Sequence, residues 1–224
     1  VIQAICFDVD GVLIDSTSWH REAFAEAVLL LAGAHLPEGF ADRYEGATTQ
    51  SKLLALKSAD LVREKHFEPI AKLKHELVLG RIEESAQPDP RVLELFCSLE
   101  EAGYALAIAS NLDKATLCQL ARRMLWDSCG RPVLSREDVA KPKPAGDVYR
   151  EVCARLNLPA RDVLVVEDSE TGIAAAVDAG CAICRVESPA ETAVERLLPA
   201  IGFYDGTLSR LHRWEASRGD RRAG

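Results

Sequence analysis

The sequence predicts an α/β protein: a doubly wound parallel sheet into which an all-helical domain is inserted just after the first strand. Three observations carry this. Val1 to Phe7 is a short apolar run that reads as a buried strand. From about Ser18 to Ala86 the apolar residues recur at helical spacing with no strand-like run between them. After Pro88-Asp89-Pro90, strands and helices alternate, the signature of a parallel sheet with helices on both faces. The expected division is an α/β core of residues 1–14 and 88–224 and a helical cap domain of residues 15–87.

Each element has a local reason. In the inserted block, Ala23, Ala27, Leu30 and Leu31 share one helical face. Leu53, Leu54, Leu56 and Leu61 suggest a second helix, and Ile70, Leu73, Leu77 and Leu79 a third. Pro37-Glu38-Gly39 and the stretch His66 to Pro69 read as connections. Beyond Pro90, Arg91 to Glu101 is a helix that Gly103 stops. Strands follow at Tyr104–Ala109, Pro132–Leu134, Asp162–Val166 and Cys181–Val186. Helices lie between and after them, at Lys114–Met124, Asp147–Leu156, Thr171–Ala179 and Ala190–Leu198. The tail from Ser209 onward, with five arginines, is expected to be a short helix and a frayed end.

The chemistry gathers where predicted strands end. Asp8-Val9-Asp10-Gly11 follows the first strand. Residues i and i+2 of a strand point to the same face, so Asp8 and Asp10 leave it together. Two close carboxylates repel, and a hard divalent cation such as Mg2+ would compensate them. The second strand runs into Ser110-Asn111, a hydroxyl and an amide able to hold a phosphate oxygen, or to cap the next helix. Ala140-Lys141-Pro142-Lys143-Pro144 is a loop stiffened by proline, which suits Lys141 to hold a phosphate. The fourth strand ends in Glu167-Asp168-Ser169, where the plainer role of the acids is to cap a helix. Each plain reading stands alone. Jointly they do not, because the strand ends of a doubly wound sheet converge on one crevice.

In this order, Asp-x-Asp-Gly-Val, Ser-Asn, Lys-Pro-x-Pro and Glu-Asp-Ser-x-x-Gly resemble the four motifs of the haloacid dehalogenase superfamily. The resemblance covers nearly the whole chain. It is closest to the branch with a helical cap after the first motif, which includes phosphoglycolate phosphatase and β-phosphoglucomutase. It implies a Rossmann-like core and Mg2+-dependent hydrolysis of a small phosphomonoester through an aspartyl phosphate. By the same resemblance Asp8 is the nucleophile and Asp10 the general acid and base. Ser110 and Lys141 hold phosphate, with Asn111 beside them. Asp8, Asp168 and the Asp10 carbonyl ligate the metal, and Glu167 does so directly or through water. Asp10 favours phosphate chemistry over dehalogenation, since a halide leaves without a proton.

The rival reading is a sugar-phosphate mutase. His20, ten residues past Asp10, resembles a position that couples cap closure to the acid/base residue in that enzyme. A mutase must also bind a second phosphate from the cap. Here Glu45 and Thr49 stand near Gly46 and Thr48 where basic residues are expected, and a carboxylate would repel that phosphate. Hydrolysis is therefore favoured, with the loop Gly46 to Gln50 selecting the leaving group. A third reading, an inactive binding or regulatory module, is disfavoured because every expected catalytic group is present.

Composition limits the rest. With 27 basic and 35 acidic side chains, the formal charge is −8, which disfavours a nucleic-acid partner. No apolar run reaches the about 18 residues of a membrane span. The N-terminus carries no pattern of a signal peptide. Seven cysteines, scattered through apolar segments, fit a reducing, cytoplasmic setting. Cys181-Ala182-Ile183-Cys184 reads as a strand whose two thiols face opposite sides, which argues against a shared metal or disulfide. The expected partner is a small phosphorylated metabolite; oligomeric state is not encoded in any pattern found.

Overall fold

The computed structural model describes residues 1–44, 47–126 and 130–205. The chain forms two compact units, one of Val1–Asp15 with the chain from Gln87 onward, the other Ser16–Ala86.

The first unit is built on a five-stranded, all-parallel sheet in the order β3-β2-β1-β4-β5. The strands are β1 (Ala4–Phe7), β2 (Ala105–Ala109), β3 (Val133–Leu134), β4 (Val163–Glu167) and β5 (Ala182–Arg185). The connecting helices are α5 (Pro90–Glu101), α6 (Lys114–Arg123), α7 (Asp147–Leu156) and α8 (Glu170–Ala179), with α9 (Val194–Asp205) after β5. Strand alternation sorts residues by size. Ala4, Cys6, Ala107 and Ala109 are small and pack with Val163 and Val165 against Val148, Tyr149 and Val152 of α7 and Ala175 and Ala176 of α8. The other face carries Ile5, Phe7, Leu106 and Ile108, and the Phe7 ring meets Phe96 of α5 at 5.2 Å between centroids. β1 and β4 are buried on both faces, and both are continuous apolar runs up to Glu167, the last residue of β4.

The helix ends follow their sequences. Asp89 caps α5 by accepting from Arg91 N, with Pro90 at the first helical position. Ser169 caps α8 by accepting from Gly172 N. Gly180 ends α8 at a φ of 78°.

The second unit contains α1 (Thr17–Ala32), α2 (Phe40–Arg43), α3 (Thr49–Ser58) and α4 (Phe67–Ser85). Its core is Phe24, Ala27, Val28, Phe40, Leu53, Leu56, Val62, Phe67 and Ile70. The expected face of α1 needs correction: Ala23, Phe24, Ala27 and Val28 are buried, while Leu30 and Leu31 are exposed at the end of the helix. Leu54 is also exposed. The continuous Leu29-Leu30-Leu31 run fits several helical phases, and packing chose the one that buries the aromatic ring. The expected final helix, from Ala190, starts as a 3-10 turn at Pro189–Glu191 and becomes α-helical only at Val194. Glu45, Gly46, Cys129 and the arginine-rich tail, on which expectations above fall, lie outside the described residues.

Candidate active site

The sheet register brings the strand ends that carry Asp8, Ser110 and Glu167 together. Phe7 lies opposite Ile108 on one side and Val166 on the other, so Asp8 emerges level with the ends of β2 and β4. Asp8 N–H still donates to Val166 O at 3.0 Å, and Ser110 N–H to Leu134 O at 2.9 Å. The strand order reverses between β1 and β4, which is where open α/β sheets bind ligands.

After Asp8 the chain turns sharply. Val9 O accepts from the backbone N–H of Val12, Leu13 and Ile14, and Gly11 adopts a φ of 79°. A Cβ on Gly11 would overlap the Asp168 carboxylate. Glycine there serves both the left-handed turn and the approach of Asp168. Asp10 sits half-buried within this turn.

The lysine of the site is Lys143, and the expectation for Lys141 is corrected. Lys141 is exposed. Lys143 is buried, and its Nζ donates to Asp8 Oδ1 at 2.6 Å, Glu167 Oε1 at 2.7 Å and Ala109 O at 3.1 Å. The Lys-Pro pair occurs twice in succession, and only the fold decides which copy turns inward. Asn111 makes that decision local: its Oδ1 accepts from Lys143 N–H at 3.0 Å, and its Nδ2 donates to Lys143 O at 3.2 Å. Asn111 thus clamps the Lys143 backbone from both sides. Three residues on, Gly146 N–H donates to Asp178 Oδ2 at 2.8 Å, fixing the same loop to α8.

Ser110 is buried, and its Oγ accepts from Leu112 N–H at 3.2 Å. Glu167 is fully buried. Its Oε1 also accepts from the Tyr149 hydroxyl, at 3.0 Å. Its Oε2 accepts from Asp168 N–H, Ser169 N–H and Ser169 Oγ. Tyr149, absent from the sequence reading, carried only one signal: an aromatic residue two positions into a helix that follows the lysine loop.

Electrostatics set the demand of the site. Burial pushes the Asp8 carboxyl up to about 8, against the pull of Lys143 and with the repulsion of Glu167. Burial pushes Asp168 up to about 6, helped by the nearby Glu167 charge. Glu167, although buried, is held below its ordinary value by Lys143 and its other donors. Burial opposes the charge on Lys143, but Asp8 and Glu167 outweigh it and keep the ammonium protonated. One lysine is therefore shared between carboxyl groups whose joint ionisation it does not fully compensate. Oxygens of Asp8, Glu167 and Asp168 all lie within 4.8 Å of one another. Hard oxygen donors whose ionisation a cation would favour fit a divalent cation such as Mg2+.

The predicted cap residues belong to the other unit. His20 Nδ1 lies 2.8 Å from Lys74 Nζ on α4. Thr48 caps α3, accepting from Ser51 N–H at 3.1 Å, and Thr49 is the first residue of that helix. The Thr48 hydroxyl thus already has a structural task. The Cys181 and Cys184 thiols do not meet. Cys181 Sγ lies 4.0 Å from Cys153 Sγ on α7, whereas Cys184 Sγ donates to Arg196 O at 3.8 Å. No helix among the described residues is long and apolar enough to cross a membrane.

Comparisons with known proteins identify the family. The family model for haloacid dehalogenase-like hydrolases matches residues 2–180. A phosphorylated carbohydrates phosphatase of Thermotoga maritima is 27% identical over 179 residues, covering 80% of this chain and 82% of its own. The β-phosphoglucomutase of Bacillus subtilis is 24% identical over 206 residues, covering 80% of each. The crystal structure of CbbY from Rhodobacter sphaeroides in complex with phosphate shares the fold, with a TM-score of 0.69 at 22% identity, over 88% of this chain and 99% of that one. The family model spans most of the chain, and the chain belongs to the haloacid dehalogenase-like hydrolases.

Proposed function

We propose that the chain is a Mg2+-dependent phosphatase that hydrolyses a small phosphomonoester, a sugar phosphate or a compound resembling phosphoglycolate. The observation that carries this is the buried Lys143 ammonium bridging Asp8 and Glu167 beside Asp168 at the strand ends. Similarity to a phosphatase of phosphorylated carbohydrates supports the substrate class.

In this reading an oxygen of Asp8 attacks phosphorus and forms the aspartyl phosphate, expelling the alcohol oxygen. Asp10 gives that oxygen a proton, then takes one from the water that cleaves the acyl phosphate. Lys143 and Ser110 hold the phosphate oxygens. Lys143 also offsets the repulsion between anionic nucleophile and anionic substrate, about 4 kcal/mol for two unit charges 4 Å apart at an effective dielectric near 20. Asp8 and Asp168, with Glu167 in reach, would hold Mg2+, which supplies further charge compensation and keeps Asp8 ionised. The helical unit is, in this reading, the cap domain that selects the leaving group.

The test is phosphate release from a panel of small phosphomonoesters that includes β-glucose 1-phosphate, with Mg2+ and with EDTA. Release that requires the cation and falls about a thousandfold or more in Asp8→Asn is expected. Conversion of β-glucose 1-phosphate to the 6-phosphate without release would make the chain a mutase. Activity unchanged by Asp8→Asn would overturn the mechanism.

A further inference from the structure

Tyr149 is a fully buried polar residue to which the reaction above gives no task. Its ring lies 4.9 Å from the Lys143 Nζ, in cation–π range. Its hydroxyl donates to Glu167 Oε1, the same oxygen that accepts from Lys143. The other oxygen, Oε2, takes three donors from the turn between β4 and α8. Five donors thus face a carboxylate with about four lone-pair sites. Gly172 closes the remaining side, since a Cβ there would overlap the Glu167 carboxylate. Asp8 and Asp168 are differently placed. Among the described residues the Asp8 carboxylate accepts from Lys143 alone, and Asp168 is only half-buried.

We propose that Tyr149 is a positioning residue: its hydroxyl completes the donor set that commits Glu167 to the protein, so that Glu167 aims Lys143 while Asp8 and Asp168 carry the cation. The physical basis is competition for one oxygen. With the phenol in place, Oε1 divides its attraction between two donors, and Lys143 remains shared with Asp8. Without it, a buried lone pair is left to the ammonium alone, and Lys143 is drawn from Asp8 toward Glu167. The phosphate-holding charge then moves, while the oxygens that meet the cation do not. The assignment rests on the phosphatase reading above.

Direct Mn2+ binding, read from the free-ion signal in electron paramagnetic resonance, separates the two roles. It is measured on the whole chain for wild type, Tyr149→Phe, Glu167→Gln and Asp168→Asn. Steady-state kinetics use whichever phosphomonoester the panel identifies. Tyr149→Phe keeps the ring and the packing and removes only the hydroxyl. It is expected to bind Mn2+ within about threefold of wild type while kcat/KM falls about tenfold. Glu167→Gln removes a charge near the cation as well, so it is expected to lose about a hundredfold in kcat/KM with a smaller loss of Mn2+ affinity than Asp168→Asn, which loses tenfold or more. Thermal melts identify any variant that fails to fold; Tyr149→Phe then carries the test alone. A tenfold loss of Mn2+ affinity in a folded Tyr149→Phe, a folded Glu167→Gln that loses as much Mn2+ affinity as Asp168→Asn, or wild-type turnover by Tyr149→Phe, overturns the assignment. A wild type that neither binds Mn2+ nor releases phosphate overturns the phosphatase reading, and this assignment with it.

Discussion

Lys141 and Lys143 differ by two positions and by almost everything that matters chemically. One is exposed; the other is buried between two carboxylates and a backbone carbonyl. Replacing each with methionine should separate them cleanly. Lys143→Met leaves Asp8 and Glu167 uncompensated in a buried site, so activity should fall about a hundredfold or more and the melting temperature should drop. Lys141→Met should turn over within about twofold of wild type, as is usual for a change at an exposed side chain. Equal losses in phosphate release from the two variants would return the role to Lys141. Both lysines stand in the proline-stiffened loop that the sequence singles out, but only Lys141 was read as the phosphate holder. What was not visible was the clamp from Asn111, which acts across 32 residues of chain.

Among elements, the turn from β4 into α8 shows how little freedom the site leaves. Ser169 caps the helix, Glu167 accepts from its backbone, and Gly172 leaves the space that the Glu167 carboxylate occupies. Gly172→Ala puts a methyl group into that carboxylate. In an ordinary helix interior the change would add about 1 kcal/mol of stability, through alanine's better helix propensity. Here the overlap should reverse the sign, lowering the urea midpoint and displacing Glu167 from Lys143 with loss of phosphate release. A stabilised, fully active Gly172→Ala would refute this account of the turn. The Glu-Asp-Ser-x-x-Gly spacing made the cap legible in advance. The reason for its glycine became legible only once a side chain from the preceding strand was seen to fill the space.

For the molecule as a whole, pH dependence offers a test remote from catalysis. After β3, burial pushes the Asp138 carboxyl up, but bonds from Lys114 Nζ, Ser135 Oγ and Ser135 N–H outweigh it and hold the group at about 2. A depressed carboxyl stabilises the fold above its unfolded pKa and loses that contribution as pH falls through the folded value. The contribution should be complete above about pH 4 and fade toward pH 2. Its size is at most about 2 kcal/mol, reduced by the screening of the exposed Lys114. Asp138→Asn should therefore lower the urea midpoint at pH 7, with the gap to wild type narrowing as pH drops below 4. A gap that stays constant with pH would show that the ion pair contributes nothing.

The sequence by itself determined the strand-helix alternation, the position of the helical insertion, and the set of polar strand ends. These follow from local physics: periodicity, chain-reversing glycines and prolines, and capping residues act within a few positions of where they stand. Tertiary structure decided which lysine enters the site, which face of α1 is buried, and that Asn111 and Tyr149 bond the lysine backbone and its carboxylate partner. Those choices depend on groups far apart in sequence that must share one small, dry volume. Register between parallel strands, and the cost of leaving a buried charge or donor unpaired, selects among candidates that local sequence leaves equivalent.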